Sequence, residues 1–326
     1  MNNIQTKITK VKTILVTGGS GLVGNAIKSV SQEYREKYNF VFVSSKQFDL
    51  TIMDDTKQMF ETYNPHFVIH LAACVGGLFK NMNNKVEMLE KNLAINYNVV
   101  KCSHDYKVEK MIACLSTCIF PDLIETYPID ETMLHNGPPH HSNDAYAYAK
   151  RMLEIHCRAY RENYGDNFRC IIPTNIYGPH DNFDVENGHV LPVLIHKCFL
   201  AKQRGEDFVI RGTGKPVRQF IFSLDLAKII MILFEKNVNE NVIISVPEED
   251  EISIGEVGQI ITAAFDYNER IVFDENYSDG QYKKTVGINR LRSILGPNFR
   301  FTSIEEGIML TVEWFIMHTL TNDYFR

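Results

Sequence analysis

Short apolar runs alternate with longer amphipathic stretches through the first half of the 326-residue chain. The apolar runs are rich in β-branched and aromatic residues and predict buried strands, whereas the stretches between them have helical periodicity. The predicted strands are 13–17, 40–44, 67–71, 110–115 and 168–172. The predicted helices run from the glycines at 18–24 to about residue 38, and then over 53–63, 86–106 and 144–164. This alternation predicts an α/β protein built on a Rossmann-type, doubly wound parallel sheet with helices on both faces.

The pattern loosens after about residue 179. Short predicted strands at 208–210 and 219–222 alternate there with predicted helices at 224–235, 254–265 and 303–318. We therefore expect a Rossmann domain at 1–179 and a smaller mixed α/β lobe at 180–326 that binds the substrate. The helix 224–235 and a strand at 242–246 are expected to rejoin the first domain, so that 224–246 belongs to it.

Composition and charge limit the partners. The formal net charge is −6 and no long basic run occurs, so we expect no nucleic-acid partner. No apolar run reaches the roughly 20 residues that cross a bilayer, and residues 1–12 are polar, unlike a signal peptide. The seven cysteines include no Cys-x-x-Cys pair, which predicts reduced thiols and a cytoplasmic location. No His/Cys cluster has zinc-finger spacing, so no metal is predicted.

Glycines 18, 21 and 24 stand three apart between the first predicted strand and the helix that follows it. The first permits a tight turn, the second lets a pyrophosphate approach the backbone, and the third lets helix and strand pack closely. The helix N-terminus then faces the phosphates. A flexible turn is the alternative, but the position between strand and helix favours a dinucleotide site made of Gly18, Gly19, Ser20, Gly21, Leu22, Val23 and Gly24.

The second predicted strand ends in Ser44-Ser45-Lys46. An NAD enzyme usually places Asp or Glu near this point for the ribose hydroxyls. Neutral Ser45 followed by Lys46 instead suits a 2′-phosphate, which predicts NADPH/NADP+ as cofactor. Lys46 could also be an ordinary solvated lysine, and Asp49 is close enough to keep NADH open.

Tyr146 and Lys150 lie one helical turn apart and on the same face of a predicted helix. The ammonium and a nearby hydroxyl such as that of Ser116 can lower the pKa of the phenol. Such a tyrosine can donate a proton to a carbonyl oxygen while hydride reaches the carbon. Cys118 adds a second acid/base group two residues beyond the serine, although a free cysteine is more often a small buried hydrophobe. Ketone reduction with proton chemistry beside it is therefore predicted.

Two histidines and three cations of the second half could also bind or react. His180 and His189 both follow the strand that ends near residue 174, and one of them could be a plain hydrogen-bonded loop residue. Three cations could be ordinary solvated charges or could hold a diphosphate, which basic forks suit: Lys197, Arg211 and Arg218.

Five segments resemble the extended short-chain dehydrogenase/reductase family: the glycine loop, 70–73 (HLAA), 116–118 (STC), Tyr146-x-x-x-Lys150 and 173–175 (PTN). Longer stretches make the chain similar to family members that epimerise and reduce GDP-bound 4-keto-6-deoxy sugars. They are VGGLFKN (75–81), LSTCIFP (115–121), NGPPH (136–140), PTNIYGPHDNF (173–183), GHVLP (188–192), GTGKPVRQF (212–220) and SDGQYKK (278–284). The resemblance runs from about residue 13 to about residue 320.

The resemblance implies roles at the matching positions. Tyr146 would give a proton to the C4 oxygen with Lys150 as its partner and Ser116 assisting. Cys118 would be the base for epimerisation at C3 and C5, and His189 the acid. The further implied cofactor contacts are Leu71, Ala72, Ala73, Leu115, Tyr146, Lys150, Pro173, Thr174, Asn175, Ile176 and His189.

The resemblance also implies contacts with a GDP-sugar substrate and a second copy of the chain. Lys197, Arg218 and Asp279 fall at substrate positions, and Arg211 stands where the family commonly has tryptophan. The long helices 86–106 and 144–164 would pair across a homodimer.

Two alternatives stay open at this point. Another nucleotide-sugar 4-epimerase or 4-reductase would share the glycine loop and Tyr146/Lys150, but neither needs Cys118 together with His189. A non-catalytic NADP(H)-binding regulatory protein would be expected to have lost Tyr146, Lys150 or the cysteine.

Overall fold

The structure is a computed structural model that describes residues 11–320 except 237, 239, 268, 269, 278 and 280. Most of the polar N-terminal segment considered above, residues 1–10, therefore lies outside the described residues.

Strands and helices alternate along the first half of the chain. In order they are β1 (Lys12–Thr17), α1 (Leu22–Val30), β2 (Tyr38–Val43), α2 (Met53–Tyr63), β3 (Phe67–His70), α3 (Leu78–Asn83), α4 (Lys85–Asp105), β4 (Lys110–Cys114), α5 (Asp144–Tyr164) and β5 (Phe168–Pro173). The second half contains β6 (Asn175–Tyr177), α6 (Val190–Arg204), β7 (Phe208–Arg211), β8 (Val217–Arg218), β9 (Phe220–Phe222), α7 (Ser223–Glu235), β10 (Val242–Ile244), β11 (Ile252–Ser253), α8 (Ile254–Ala264), β12 (Ile271–Asp274), α9 (Asn289–Leu295) and α10 (Ile304–Leu320).

Six strands form one sheet in the order β10-β5-β4-β3-β1-β2, and every neighbouring pair is parallel. The order reverses at β1, because β2 lies on one side of it and β3 on the other. Thr17 is level with Val43 and with His70, so the three strands end at one edge of the sheet. Such a reversal leaves a crevice at the carboxyl ends of the strands, where α/β proteins bind ligands. The predicted fold class is confirmed.

Separate apolar cores cover the two faces of this sheet. One core joins the sheet to α2, α4 and α5 and includes Met59, Val99 and Leu153. The other joins it to α1, α7 and α9 and includes Ile27, Ile230 and Leu291. Each fully buried side chain of this kind contributes roughly 1.5–3 kcal/mol, so the two cores fix the strand ends that carry the crevice.

The smaller lobe has its own core, formed by α6, α8, α10 and the strands beside them, with Phe208, Ile261 and Phe315 at its centre. Its strands pair two by two: β7 with β12, β8 with β11, and β6 with β9.

The chain returns to the larger lobe twice. Helix α7 packs on α1, and β10 pairs with β5, in the segment 224–246 that the sequence assigned to the first domain. Helix α9 also packs on α7 and β10, although the sequence division put it in the lobe 180–326. The reason is its apolar face: Ile288 and Leu291 are buried in the second sheet core.

Helix α6 was not predicted, since the pattern after residue 179 was interpreted as loosened. Pro192 disguises it in the sequence, but this proline lies in the first turn of the helix, where a missing N–H costs little. The short elements α3, β12 and α9 were missed as well.

No helix in the described part of the chain is both long enough and apolar enough to cross a membrane. Within the same residues, no group of three or more His, Cys, Asp or Glu side chains could hold a metal ion. All seven cysteines are free thiols.

Candidate active site

A cavity of about 560 Å³ lies at the carboxyl edge of the sheet, between the two lobes. Its walls come from the glycine loop, from the ends of β3, β4 and β5, from α5, and from the segment 180–192 of the smaller lobe. The predicted site residues on these walls are Gly18, Ser20, Gly21, Leu22, Val23, Gly24, Ser45, Leu71, Ala72, Ala73, Leu115, Ser116, Tyr146, Lys150, Pro173, Thr174, Asn175, Ile176 and His189.

The glycine loop is pressed against the end of β3. Gly18 has φ +71°, and a Cβ there would lie 2.9 Å from the backbone nitrogen of Ala72. A Cβ at Gly24 would lie 2.5 Å from the carbonyl oxygen of Gly18, so helix α1 can start only where this residue lacks a side chain. Gly19 lies behind the cavity wall, where its N–H donates to the Val43 carbonyl at 2.8 Å. The loop therefore leaves the N-terminus of α1 open to the cavity.

The end of β2 differs from the expectation at Lys46. Ser45 and Asp49 line the cavity, whereas Lys46 is exposed and is not part of the wall. The Asp49 carboxylate accepts hydrogen bonds from the Thr51 N–H at 3.0 Å and the Thr51 hydroxyl at 2.7 Å. It therefore stabilises the local turn at 49–51. These bonds lower the pKa of Asp49.

Helix α5 carries Tyr146 and Lys150 into the cavity. Lys150 is only 2% exposed, and its Nζ donates to the Cys114 carbonyl at 2.7 Å and lies 5.8 Å from the centre of the Tyr146 ring. The expected lowering of the tyrosine pKa is wrong for this structure. Burial, with the thiols of Cys118 and Cys114 adding to it, raises the pKa of Tyr146 well above its usual value. The phenol thus keeps its proton, as a proton donor must.

The turn after β4 carries Ser116 and Cys118. The Ser116 hydroxyl accepts from the Cys118 N–H at 3.4 Å, which starts a short 3₁₀ helix over Thr117–Ile119. Cys118 is half-buried and does not line the cavity. Burial raises the pKa of its thiol, while the Lys284 ammonium and the Ser116 hydroxyl lower it. Lys284 was not singled out in the sequence, although the stretch 278–284 that contains it was.

A buried polar network connects the glycine loop to α5 and was missed by sequence reasoning. The Thr17 hydroxyl and His70 Nδ1 are 2.8 Å apart, and His70 Nε2 lies 3.2 Å from Asn96 Oδ1. The Asn96 amide group donates to the Ala149 carbonyl at 3.4 Å, next to Lys150. Burial, and secondarily the Lys150 charge, lowers the pKa of His70 to about 3, so the ring is neutral. Only tertiary contacts between distant segments identify this network.

The smaller lobe brings two histidines and a carboxyl group to the cavity. His189 precedes α6, and its side chain caps no helix N–H and is exposed toward the cleft. Desolvation by the surrounding protein nevertheless lowers its pKa. His180 has φ +68°, and the centre of its ring lies 4.7 Å from that of Trp314 with the two planes tilted by 51°. Burial raises the pKa of Asp181 to about 7, a residue that the sequence did not single out.

The four predicted substrate residues lie in the smaller lobe and outside the cavity wall. The guanidinium of Arg211 lies 4.5 Å from the centre of the Tyr277 ring, and burial and the Arg211 charge lower the pKa of Lys197. Arg218 donates to the carbonyls of Gln281 at 2.5 Å and Tyr282 at 3.2 Å.

Asp279 supports the glycine turn at 212–214. Its carboxylate accepts from the Thr213 N–H and hydroxyl, each at 2.7 Å. Both carboxylate oxygens therefore have a partner within the protein.

Residues 14–246 match the NAD dependent epimerase/dehydratase family. The chain belongs to this family, which agrees with its resemblance to extended short-chain dehydrogenases.

Three similar proteins are named as a GDP-L-fucose synthase, a probable GDP-L-fucose synthase or a GDP-L-fucose synthetase. The chain is 51% identical over 314 residues to the GDP-L-fucose synthase of Dictyostelium discoideum, covering 95% of this chain and 97% of that protein. It is 45% identical over 315 residues to a probable GDP-L-fucose synthase of Drosophila melanogaster, covering 94% and 98%. Its structure matches that of a GDP-L-fucose synthetase from Naegleria fowleri bound to NADP, with a TM-score of 0.90 and 50% identity over 96% of this chain and 95% of that chain.

Proposed function

We propose that this chain is a GDP-L-fucose synthase. It converts GDP-4-dehydro-6-deoxy-D-mannose to GDP-L-fucose by epimerising C3 and C5 and then reducing the C4 ketone with NADPH. The similarity of more than nine-tenths of the chain to proteins of that name supports this assignment.

One observation carries the proposal. A single cavity is lined by the glycine loop, by Tyr146 and Lys150, by Ser116 and by His189, and the turn that begins at Ser116 carries Cys118. A 4-epimerase or a 4-reductase needs the glycine loop, the Tyr146/Lys150 pair and Ser116. Only a reaction that also moves protons at carbon uses a thiol and an imidazole as well.

The residues present fit a dinucleotide cofactor. The glycine loop leaves no Cβ over the N-terminus of α1, where backbone N–H groups suit a pyrophosphate. Ser45, at the end of β2, lines the cavity where we expect the ribose, and Ala72, Thr174 and His189 line other parts of the wall. NADPH, when bound, supplies the hydride that reduces C4. Because Lys46 is exposed, its contact with a 2′-phosphate needs its side chain to swing toward the cavity.

Epimerisation depends on Cys118 and His189. The C4 ketone acidifies the C–H bonds at C3 and C5, so the thiolate of Cys118 can take a proton and leave an enolate. The imidazolium of His189 returns a proton on the opposite face, which leaves a neutral thiol and a neutral imidazole. Solvent then takes the proton from the thiol and gives one to the imidazole, and the same exchange inverts the second centre. Ser116 and Tyr146 stabilise the enolate oxygen, and Tyr146 finally protonates the C4 alkoxide.

Cys118 must lose its proton before it can act as the base, and burial opposes that loss. Burial raises its pKa and desolvation lowers that of His189, so the neutral thiol and neutral imidazole are the resting forms. The cations near Cys118 favour the thiolate: Lys284, Lys150 and Arg151.

We also propose a homodimer that pairs α4 and α5 of two chains. These helices expose large apolar side chains, among them Tyr97 at 52%, Met152 at 49% and Tyr148 at 44%. An exposed apolar surface on two adjacent long helices suits a second copy of the chain. The free thiols fit a reducing compartment such as the cytoplasm.

The test is incubation of the protein with NADPH and the same substrate, also called GDP-4-keto-6-deoxymannose, followed by identification of the sugar product by NMR. GDP-L-fucose is the expected product. A product reduced at C4 without inversion at C3 and C5 would make the protein a plain 4-reductase. Binding of NADPH without turnover of any GDP-sugar would favour a regulatory protein.

A further inference from the structure

We propose that Arg151 is a positioning residue for Cys118, because it fixes the far end of the turn that carries the thiol. The inference rests on the proposed function, in which Cys118 is the base of epimerisation. It adds a residue to the site that no motif in the sequence indicated.

Consecutive cations of α5 hold the two ends of that turn. Lys150 Nζ donates to the Cys114 carbonyl at 2.7 Å, and Arg151 Nε donates to the Ile119 carbonyl at 2.6 Å. Cys118 lies between these two anchored carbonyls. Since Tyr146 is one turn earlier on the same helix, α5 both carries the proton donor and sets the position of the base.

A second hydrogen bond from Arg151 ties in the proline-rich loop. A terminal nitrogen of the guanidinium donates to the Gly137 carbonyl at 2.7 Å, and the Asp122 N–H donates to the Pro138 carbonyl at 2.9 Å. The segment 119–122, which follows Cys118, and the loop at 137–138 are thereby held to each other and to the helix. The planar fork of arginine suits two carbonyls at once in a way that lysine does not.

The burial of this cation needs an explanation. Arg151 is 7% exposed, and its hydrogen bonds go to the carbonyls of Ile119 and Gly137 rather than to a carboxylate. A buried cation without a carboxylate is unfavourable unless hydrogen bonds and another charge compensate it. Its guanidinium lies 5.6 Å from the centre of the Tyr148 ring, and its charge also acts on Cys118. The negative charge that compensates it during turnover is the thiolate.

The expected effect separates the two halves of the reaction. Loss of the Arg151 contacts lets the Cys118 turn shift, while Tyr146 stays fixed on α5. A displacement of about 1 Å at a reacting group can cost on the order of 100-fold in rate. Proton exchange at C3 and C5 should therefore suffer, and cofactor binding should not.

The experiment uses Arg151→Met, which keeps the apolar stem and removes the donors. Deuterium incorporation at C3 and C5 of GDP-4-keto-6-deoxymannose is measured in deuterated water, beside the NADPH dissociation constant and the melting temperature. The matched control is Arg158→Met on the same helix, where the side chain is 41% exposed. The kcat for exchange should fall at least about 10-fold in Arg151→Met, with NADPH affinity and the KM for the GDP-sugar within about twofold of wild type. Arg158→Met should match wild type.

Arg151→Lys provides the second arm. It keeps a buried cation that can reach one carbonyl, so exchange should lie between wild type and Arg151→Met. If the methionine variant does not fold, exchange below wild type in the lysine variant supports the proposal and exchange at the wild-type rate overturns it.

The outcomes distinguish this inference from the proposed function. If Cys118→Ala abolishes exchange but Arg151→Met exchanges like wild type, the positioning role is wrong and the assigned function stands. If Arg151→Met folds and loses exchange and NADPH binding equally, Arg151 supports the fold rather than the base. If Cys118→Ala itself exchanges at the wild-type rate, the assignment of the base fails first, and the role of Arg151 fails with it.

Discussion

The proposed reacting groups of the larger lobe and the cations of the smaller lobe are held in the structure in different ways. Lys150 is 2% exposed and bonded to the Cys114 carbonyl on the neighbouring strand. Arg211 is partly exposed and its guanidinium stacks on Tyr277, while Arg218 holds the carbonyls of a loop at 281–282. One set is fixed by a sheet core and the other lies on short strands and loops.

Under the proposed function, this difference separates the residues for catalysis from the residues for substrate binding. The groups proposed to transfer protons come from α5 and from the turn after β4, which the sheet core holds together. The cations come from α6, β7 and β8, whose positions depend on the smaller core. Changes in the first set should lower kcat, and changes in the second should raise the KM for the GDP-sugar.

Among changes in the larger lobe, Tyr146→Phe should cause the largest loss of activity. Loss of a general acid typically costs roughly 10²–10⁴-fold, so NADPH oxidation should nearly stop while NADPH still binds. The rate of NADPH oxidation is measured from the decrease in NADPH absorbance under steady-state conditions. The control is Tyr148→Phe, whose side chain is 44% exposed and has no lysine four residues later. A Tyr146→Phe rate within a few-fold of wild type would mean that another group supplies the proton.

Cys118→Ala should separate epimerisation at C3 and C5 from reduction at C4, both of which are assigned to the larger lobe. Deuterium incorporation at C3 and C5 should fall by about 10²-fold or more, since general base catalysis contributes on that order. NADPH should bind as before, and slow reduction should give a GDP-6-deoxyhexose of the original D configuration. Cys198→Ala, at a buried thiol of the smaller lobe, is the control. Exchange at the wild-type rate would make Cys118 a packing residue and turn the search for the base to His180.

Arg218→Ala tests the smaller lobe. A hydrogen bond to a charged group is worth about 1.5–3 kcal/mol, so the KM for the GDP-sugar should rise by about 10-fold or more. NADPH affinity should change little, because Arg218 lies outside the cofactor cavity. Lys215→Ala, at an exposed lysine of the same segment, should leave both constants unchanged. An equal loss of NADPH affinity would contradict the separation of the two lobes.

Lys46→Asp should have the smallest effect, because Lys46 is exposed and outside the cavity wall. An exposed charge contact is worth about 1 kcal/mol or less, so the preference for NADPH over NADH in kcat/KM should narrow by a few-fold. Lys57→Asp on α2 controls for the change in net charge. A wild-type protein that prefers NADH would show that the interpretation of Ser45 and Lys46 is wrong.

The sequence by itself determined the sheet and the groups that lie at its edge. The helices 53–63 and 144–164 were predicted with the bounds of α2 and α5, and the strands were placed within a few residues. Buried parallel strands are continuous apolar runs, and local glycine and Tyr-x-x-x-Lys patterns follow from short-range sterics and helical spacing. Such signals need no partner elsewhere in the chain.

Tertiary structure alone decided what depends on distant segments. Lys46 lies outside the cavity wall, although the sequence predicted a cofactor contact there. Burial raises the pKa of Tyr146, and α9 packs on the larger lobe. Tertiary contacts also connect His70 to Asn96, and Arg151 to the Ile119 carbonyl. Desolvation and hydrogen bonding depend on which groups meet in space, and residues 26 or 32 positions apart meet only after the sheet and helices have packed.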